Sequence, residues 1–178
     1  MTKFSETIFE RNVIEFVTVA TEYCAFLEKA EGMPRTAFVD TLLKLLPLLY
    51  LKAAMLPEVE QLEDEAPETY VTEDIYEVLR ISLADVLAET DDYLDVFLAD
   101  MQYSDTPIKQ NISEGLADIY QDLKDFTFVF RLGLNETMND ALYLCKENFG
   151  ALWGQKLVNT MRALHEIKYA NRTYTDDV

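Results

Sequence analysis

Glycine and proline are scarce in this chain, five of each among 178 residues, and long β-branched runs are missing. Sheets need such residues for their turns and strands, so the shortage points to an all-α fold. No apolar run reaches the roughly eighteen residues of a membrane-spanning helix. Residues 1–10 also lack the basic-then-apolar order of a signal peptide. A cytoplasmic location away from membranes is the expectation. Only two cysteines are present, Cys24 and Cys145, each within an apolar helical stripe. They read as small buried hydrophobes in a reducing compartment rather than as a disulfide. Bases are almost missing from one third of the chain: between Pro57 and Asp105, Arg80 stands alone against sixteen acids. Nearly all of the net charge of −18 therefore lies there. Such a surface repels phosphate backbones, which excludes direct nucleic-acid binding, and suits another protein with a basic surface.

Several enzyme signatures are absent too. There is no G-x-S-x-G turn, no phosphate-binding glycine loop and no Cys/His zinc spacing. The di-iron E-x-x-H pair is missing because Arg162 stands three residues before the only histidine, His165.

What is present is helical periodicity. Phe9, Val13, Phe16, Ala20, Tyr23, Leu27 and Ala30 follow at spacings of four and three, one stripe on a first helix that Ser5 can cap. Gly32 supplies its stop and Pro34 suits the start of the next helix. That second helix, about 35–56, is apolar over most of its circumference, so it is expected at the centre of the bundle, kinked at Pro47. Leu45→Asp is then expected to unfold the domain. From 57 to 71 the period vanishes, and a solvated, mobile, dispensable acidic linker is expected. Thr72 can cap a third helix striped Ile75, Leu79, Leu83, Val86, and Tyr93 to Met101 suggests a further short one. Asn111 with Glu114 forms a potential capping box for a fourth helix, whose seam is Ile112, Leu116, Ile119, Leu123, Phe126, Phe130. Asn135 opens the last helix, striped Met138, Leu142, Cys145, Phe149, Leu152. At Gly150-x-x-x-Gly154 the stripe slips by one residue to Trp153, Leu157, Met161, Leu164, which suggests a bend or a close helix crossing. The reading is a single-domain antiparallel bundle of five or six helices over residues 1–172, with a polar tail at 173–178.

Chemistry concentrates on the fourth and last helices. Glu114, Asp118, Asp122 and Asp125 form a carboxylate stripe whose mutual repulsion opposes the helix by roughly 0.2–0.5 kcal/mol per pair. Solvent, a cation or neighbouring bases must offset it. The short Gly133–Asn135 turn makes the two helices antiparallel, bringing residues 116–122 near 152–165. The expected site pairs Asp118 or Asp122 with Arg162 or His165, beside Trp153 and Lys156.

The same residues carry a family resemblance. Leu116–Lys124 (LADIYQDLK), Trp153-Gly154 and Arg162-Ala163-Leu164-His165, with a weaker echo at Tyr93–Phe97, resemble the signature of an uncharacterised family of bacterial all-helical domains. The resemblance covers about 93–165 and implies an intracellular bacterial helical domain with no activity attached. In that family histidines flank the Trp-Gly pair; here those positions are Leu152 and Lys156.

A second reading remains. Glu60-x-x-Glu63 followed by Glu89-x-x-Asp92 is similar to the magnesium-binding carboxylates of all-helical nucleoside triphosphate pyrophosphohydrolases, and hard-cation phosphate chemistry needs such a set. The main expectation is a non-enzymatic interaction or regulatory module without a cofactor. The alternative is a Mg-dependent nucleotide hydrolase.

Overall fold

The structure, a computed structural model, describes residues 6–95 and 106–170. Their elements are α1 (Arg11–Glu28), α2 (Arg35–Ala54), α3 (Glu73–Leu87), β1 (Asp92–Asp95), β2 (Ile108–Asn111) and α4 (Ile112–Leu132). A long final helix then comprises α5 (Asn135–Asn148), a π-turn over Phe149–Trp153, and α6 (Gly154–Tyr169). The expected all-α single-domain bundle is what forms.

α4 is its axis. Its seam, from Ile112 through Leu116, Ile119 and Leu123 to Phe126, is buried, and α1, α3, α5 and α6 all pack against it. Opposite the seam, α1 contributes Val13, Phe16, Ala20, Tyr23 and Leu27. Phe16 lies between Phe126 and Trp153, with ring centroids 5.5 and 6.4 Å away. The Tyr23 hydroxyl donates to the Leu116 carbonyl at 2.8 Å, so a phenol that is fully buried is still satisfied. One residue of the expected stripe is displaced: Phe9 precedes α1 and is exposed, while Ile8 enters the core. Ser5 lies outside the described residues.

The second helix is not central. α2 packs against α1 and α6 through Phe38, Leu42, Leu46, Leu49 and Ala53, while Leu48, Tyr50, Leu51 and Met55 face solvent. Leu45 is only half-buried, so it is not the residue on which folding turns. Apolarity all round a helix shows what it could bury; it does not show that partners exist on every side. Pro47 stands inside the helix.

Three local expectations change where distant groups intervene. Tyr93 and its neighbours form a strand instead of a helix: β1 pairs antiparallel with β2, Asp92 opposite Asn111 and Asp95 opposite Ile108. The rest of that segment, 96–105, lies outside the described residues, as does the tail from 171. The Asn111–Glu114 capping box does not form, because Asn111 donates its side-chain amide to Asp92 at 2.7 Å. Buried Asp91 replaces it, accepting from the Ser113 backbone N–H and hydroxyl at 2.7 and 2.6 Å. Asn135 becomes the first residue of α5 rather than its cap, a place taken by Leu134. Thr72 does cap α3, accepting from Ile75 N–H at 3.3 Å, and Gly133 ends α4 at φ 74°.

The slip in the last stripe is a π-turn. One extra residue in the turn rotates the helix beyond it, so Trp153 enters the core while Leu152 remains outside. Gly154 N–H donates to the carbonyl of Phe149 five residues back. A Cβ at Gly154 would lie 2.4 Å from that same oxygen.

Candidate functional site

The α4 carboxylates each find a different partner. Asp118 accepts from the Tyr76 hydroxyl at 2.7 Å and pairs with Lys156 of α6. Burial, reinforced by this carboxylate, pushes the Tyr76 phenol well above its ordinary value. Asp122 accepts from the Asn148 amide at 2.7 Å. Burial is the main cause of its raised pKa, and Asp125 and Asp118 add to it. Asp125 accepts from the backbone N–H groups of Tyr70 and Val71, both at 2.7 Å; burial raises its pKa too. Glu114 is exposed. The repulsion is thus offset by one base, a phenol, an amide, two backbone donors and water.

The antiparallel approach of α4 and α6 is as expected, with Gly115 facing Thr160 and Asp118 facing Lys156. The expected pairing is not. Asp118 takes Lys156 in place of Arg162 or His165, because those two occur further along α6, on another side. Arg162 lines a cleft, and His165 packs at a tilt against Tyr169 (centroids 4.5 Å apart) in a shallow groove with Leu43, Pro47 and Met161. Trp153 is buried and donates to the Cys145 carbonyl at 3.0 Å, a core role. The five residues Asp118, Asp122, Trp153, Arg162 and His165 therefore do not converge.

The cleft beside Arg162 holds about 1230 Å³ between the first turn of α2, the hairpin and the end of α6. Val39, Ile112 and Ile167 give it apolar walls. Its charges are largely matched: Arg35 donates to Glu89 at 2.7 Å and to the Leu87 carbonyl at 3.3 Å, and Lys168 pairs with Asp40.

The magnesium set does not converge either. The Glu60 carbonyl and Glu63 N–H are bound to Asn139 and Asp140 of α5, beside the C-terminal half of α4. Glu89 pairs with Arg35, and Asp92 with Lys109, at the N-terminal end of that ~30 Å helix. Among the described residues no three His, Cys, Asp or Glu side chains stand where they could share a metal ion.

The acidic linker departs furthest from expectation. Its backbone is clasped to the helices at both ends, over 57–63 and at 70–71. Lys146 donates to Pro57 O at 3.2 Å and pairs with Glu58; Asn139 donates to Glu60 O at 2.7 Å. Asp140, buried, accepts from Leu62 and Glu63 N–H, both at 2.8 Å, and Asp125 holds Tyr70 and Val71. Along this strap and α3, Glu60, Glu63, Asp64, Glu65, Glu68, Glu73, Asp74 and Asp85 are exposed. Among the described residues none of those eight has an ion-pair partner. Asn139 and Asp140, which anchor the strap, are the residues that periodicity missed; the available signal was a polar pair inside the Met138–Leu142 stripe.

Asp122 offers a test of these electrostatics. Its carboxylate is penalised by burial and by Asp118 and Asp125 within a turn. An amide in its place would still accept from Asn148. Asp122→Asn should stabilise the domain at neutral pH by roughly 0.5–1 kcal/mol from two relieved like-charge pairs. A raised folded pKa means the folded state binds the proton more tightly, so native Asp122 costs stability above that pKa. The cost fades as pH falls through it towards the ordinary carboxylate range. The advantage of the Asp122→Asn variant should shrink over the same window in paired thermal melts. A pH-independent difference would count against this origin of the shift.

Among known proteins, a crystal structure of protein BF1032 from Bacteroides fragilis is 68% identical. The match covers 92% of this chain and 96% of that one, with a TM-score of 0.82. No curated protein matches. The family profile described as Domain of unknown function (DUF5063) matches residues 7–170, so the chain belongs to that family.

Proposed function

We propose that this domain is a cytoplasmic, non-enzymatic interaction module that presents an acidic surface of fixed shape to a protein with a basic surface. The strap carries the reading. A segment that served only to solvate the chain would need no buried Asp140 and Asn139 to hold its backbone, yet this one is fastened over 57–63 and again at Tyr70 and Val71, while Glu60, Glu63, Asp64, Glu65 and Glu68 have no ion-pair partner among the described residues. Fixing like charges side by side opposes folding, and a complementary partner recovers that cost on binding. Two buried, unpaired thiols suit a reducing compartment; burial pushes Cys24 up to about 12 and Cys145 well above its ordinary value, so neither is poised for chemistry. In addition, no helix among the described residues is long and apolar enough to cross a membrane.

The test is comparative capture. Affinity capture without cross-linking, from lysate of the source cells, with wild type and with a variant carrying Gln at 60, 63, 65 and 68 should yield a basic protein that the wild type retains and the variant loses, with retention falling as salt rises. Identical captures by both, or a wild-type partner that is itself acidic, would overturn the proposal.

A further inference from the structure

α3 carries apolar residues on the wrong side. Its buried face is Leu79, Leu83 and Leu87, packed chiefly on α4. Directly opposite, Asp74, Val78, Ile81 and Asp85 succeed one another at spacings of four, three and four and so share one outward stripe. Val78 is 71% exposed and Ile81 50%, where an amphipathic helix ordinarily carries polar groups. The one base of this segment adds no positive charge to the stripe: Arg80 folds onto Glu77 through contacts of 2.8 and 3.1 Å. The result is a two-residue apolar centre with a carboxylate at each end.

Resting on the acidic-face reading above, we infer that this stripe is the docking ridge for a basic amphipathic helix of the partner protein. Charge complementarity selects that occupant: apolar side chains one turn apart cover Val78 and Ile81, and lysines or arginines on either side meet Asp74 and Asp85. The stripe from 74 to 85 is ~16 Å long, about three helical turns, which suits helix-on-helix packing along ridges. The apolar centre supplies affinity that salt does not screen, and the carboxylates supply orientation.

Two probes decide this: a lysine-rich peptide with leucines spaced to form one helical face, and a scrambled peptide of the same composition. Titrated near physiological ionic strength, the amphipathic peptide should bind about tenfold more tightly, a difference of ~1.4 kcal/mol. Its amide shift changes should centre on residues 74–85. Val78→Ser with Ile81→Ser, both on the solvent side, should abolish that preference and leave the scrambled peptide's affinity unchanged. Equal binding of the two peptides to wild type, shift changes elsewhere, or a preference that survives the double substitution would overturn the ridge while leaving a charge-only acidic face standing. Failure of both peptides to bind would overturn both readings.

Discussion

Asp140→Ala should unfasten the acidic strap and lower the stability of the whole domain by ~2–3 kcal/mol. The carboxylate is 2% exposed and accepts from two backbone N–H groups at 2.8 Å and from the Asn139 amide at 3.0 Å. Hydrogen bonds to a charged acceptor contribute about 1.5–3 kcal/mol each. Part of that loss is recovered because the released strap regains water and conformational freedom, and because a buried charge is removed with it. For a domain of this size ~2–3 kcal/mol lowers the thermal midpoint by roughly 5–10 °C. The distinguishing measurement is amide exchange. Protection at Leu62 and Glu63 should collapse, while α4 amides change only by the global loss. A strap that stays protected in the variant would show that Asp140 is not its anchor.

Gly154→Ala should be destabilising by ~2–4 kcal/mol, against the sign that helix propensity gives. In an ordinary helix interior, Ala is favoured over Gly by about 1 kcal/mol. Here the new Cβ would lie 2.4 Å from the Phe149 carbonyl and 2.9 Å from its ring. That carbonyl is held by the Gly154 N–H itself, and the ring packs against Trp153 with centroids 4.7 Å apart. Relief requires the π-turn to open, which moves Trp153 out of its place against Phe16. Denaturant melts should show the loss, and tryptophan fluorescence should report a wetter indole. The companion change Gly150→Ala, with open space around its Cβ, should be neutral or stabilising. If Gly154→Ala is also stabilising, the π-turn does not lock the tryptophan.

How much the sequence disclosed depended on how locally each feature is determined. The seams of α1 and α4 were legible because a repeated four–three spacing has few other uses, and the antiparallel return followed from a three-residue turn around Gly133. The slip from Leu152 to Trp153 was visible as a change of phase; reading it as a π-turn needed only the count of one extra residue. The position of α2 was not legible, because an apolar circumference describes the helix and not its neighbours. Nor was the strap. Asn139 and Asp140 look like surface residues of α5, and their partners are backbone groups nearly eighty residues away, which carry no side-chain signal of the contact. The candidate site failed for a related reason: charge and antiparallel spacing brought α6 to Asp118, but a difference of six residues between Lys156 and Arg162 turns the helix far enough to choose one and exclude the other.

The clasped strap also sets the thermodynamic character of the molecule. Carboxylates on a free chain relieve their repulsion by spreading apart; those on a backbone held at Pro57, Leu62 and Val71 cannot. They must instead keep an atmosphere of small cations above the surface. Added salt should then firm the fold instead of loosening it. A basic partner would displace those cations into bulk solution, so association should draw much of its drive from the entropy of released ions, with an affinity that falls as a power of the salt concentration.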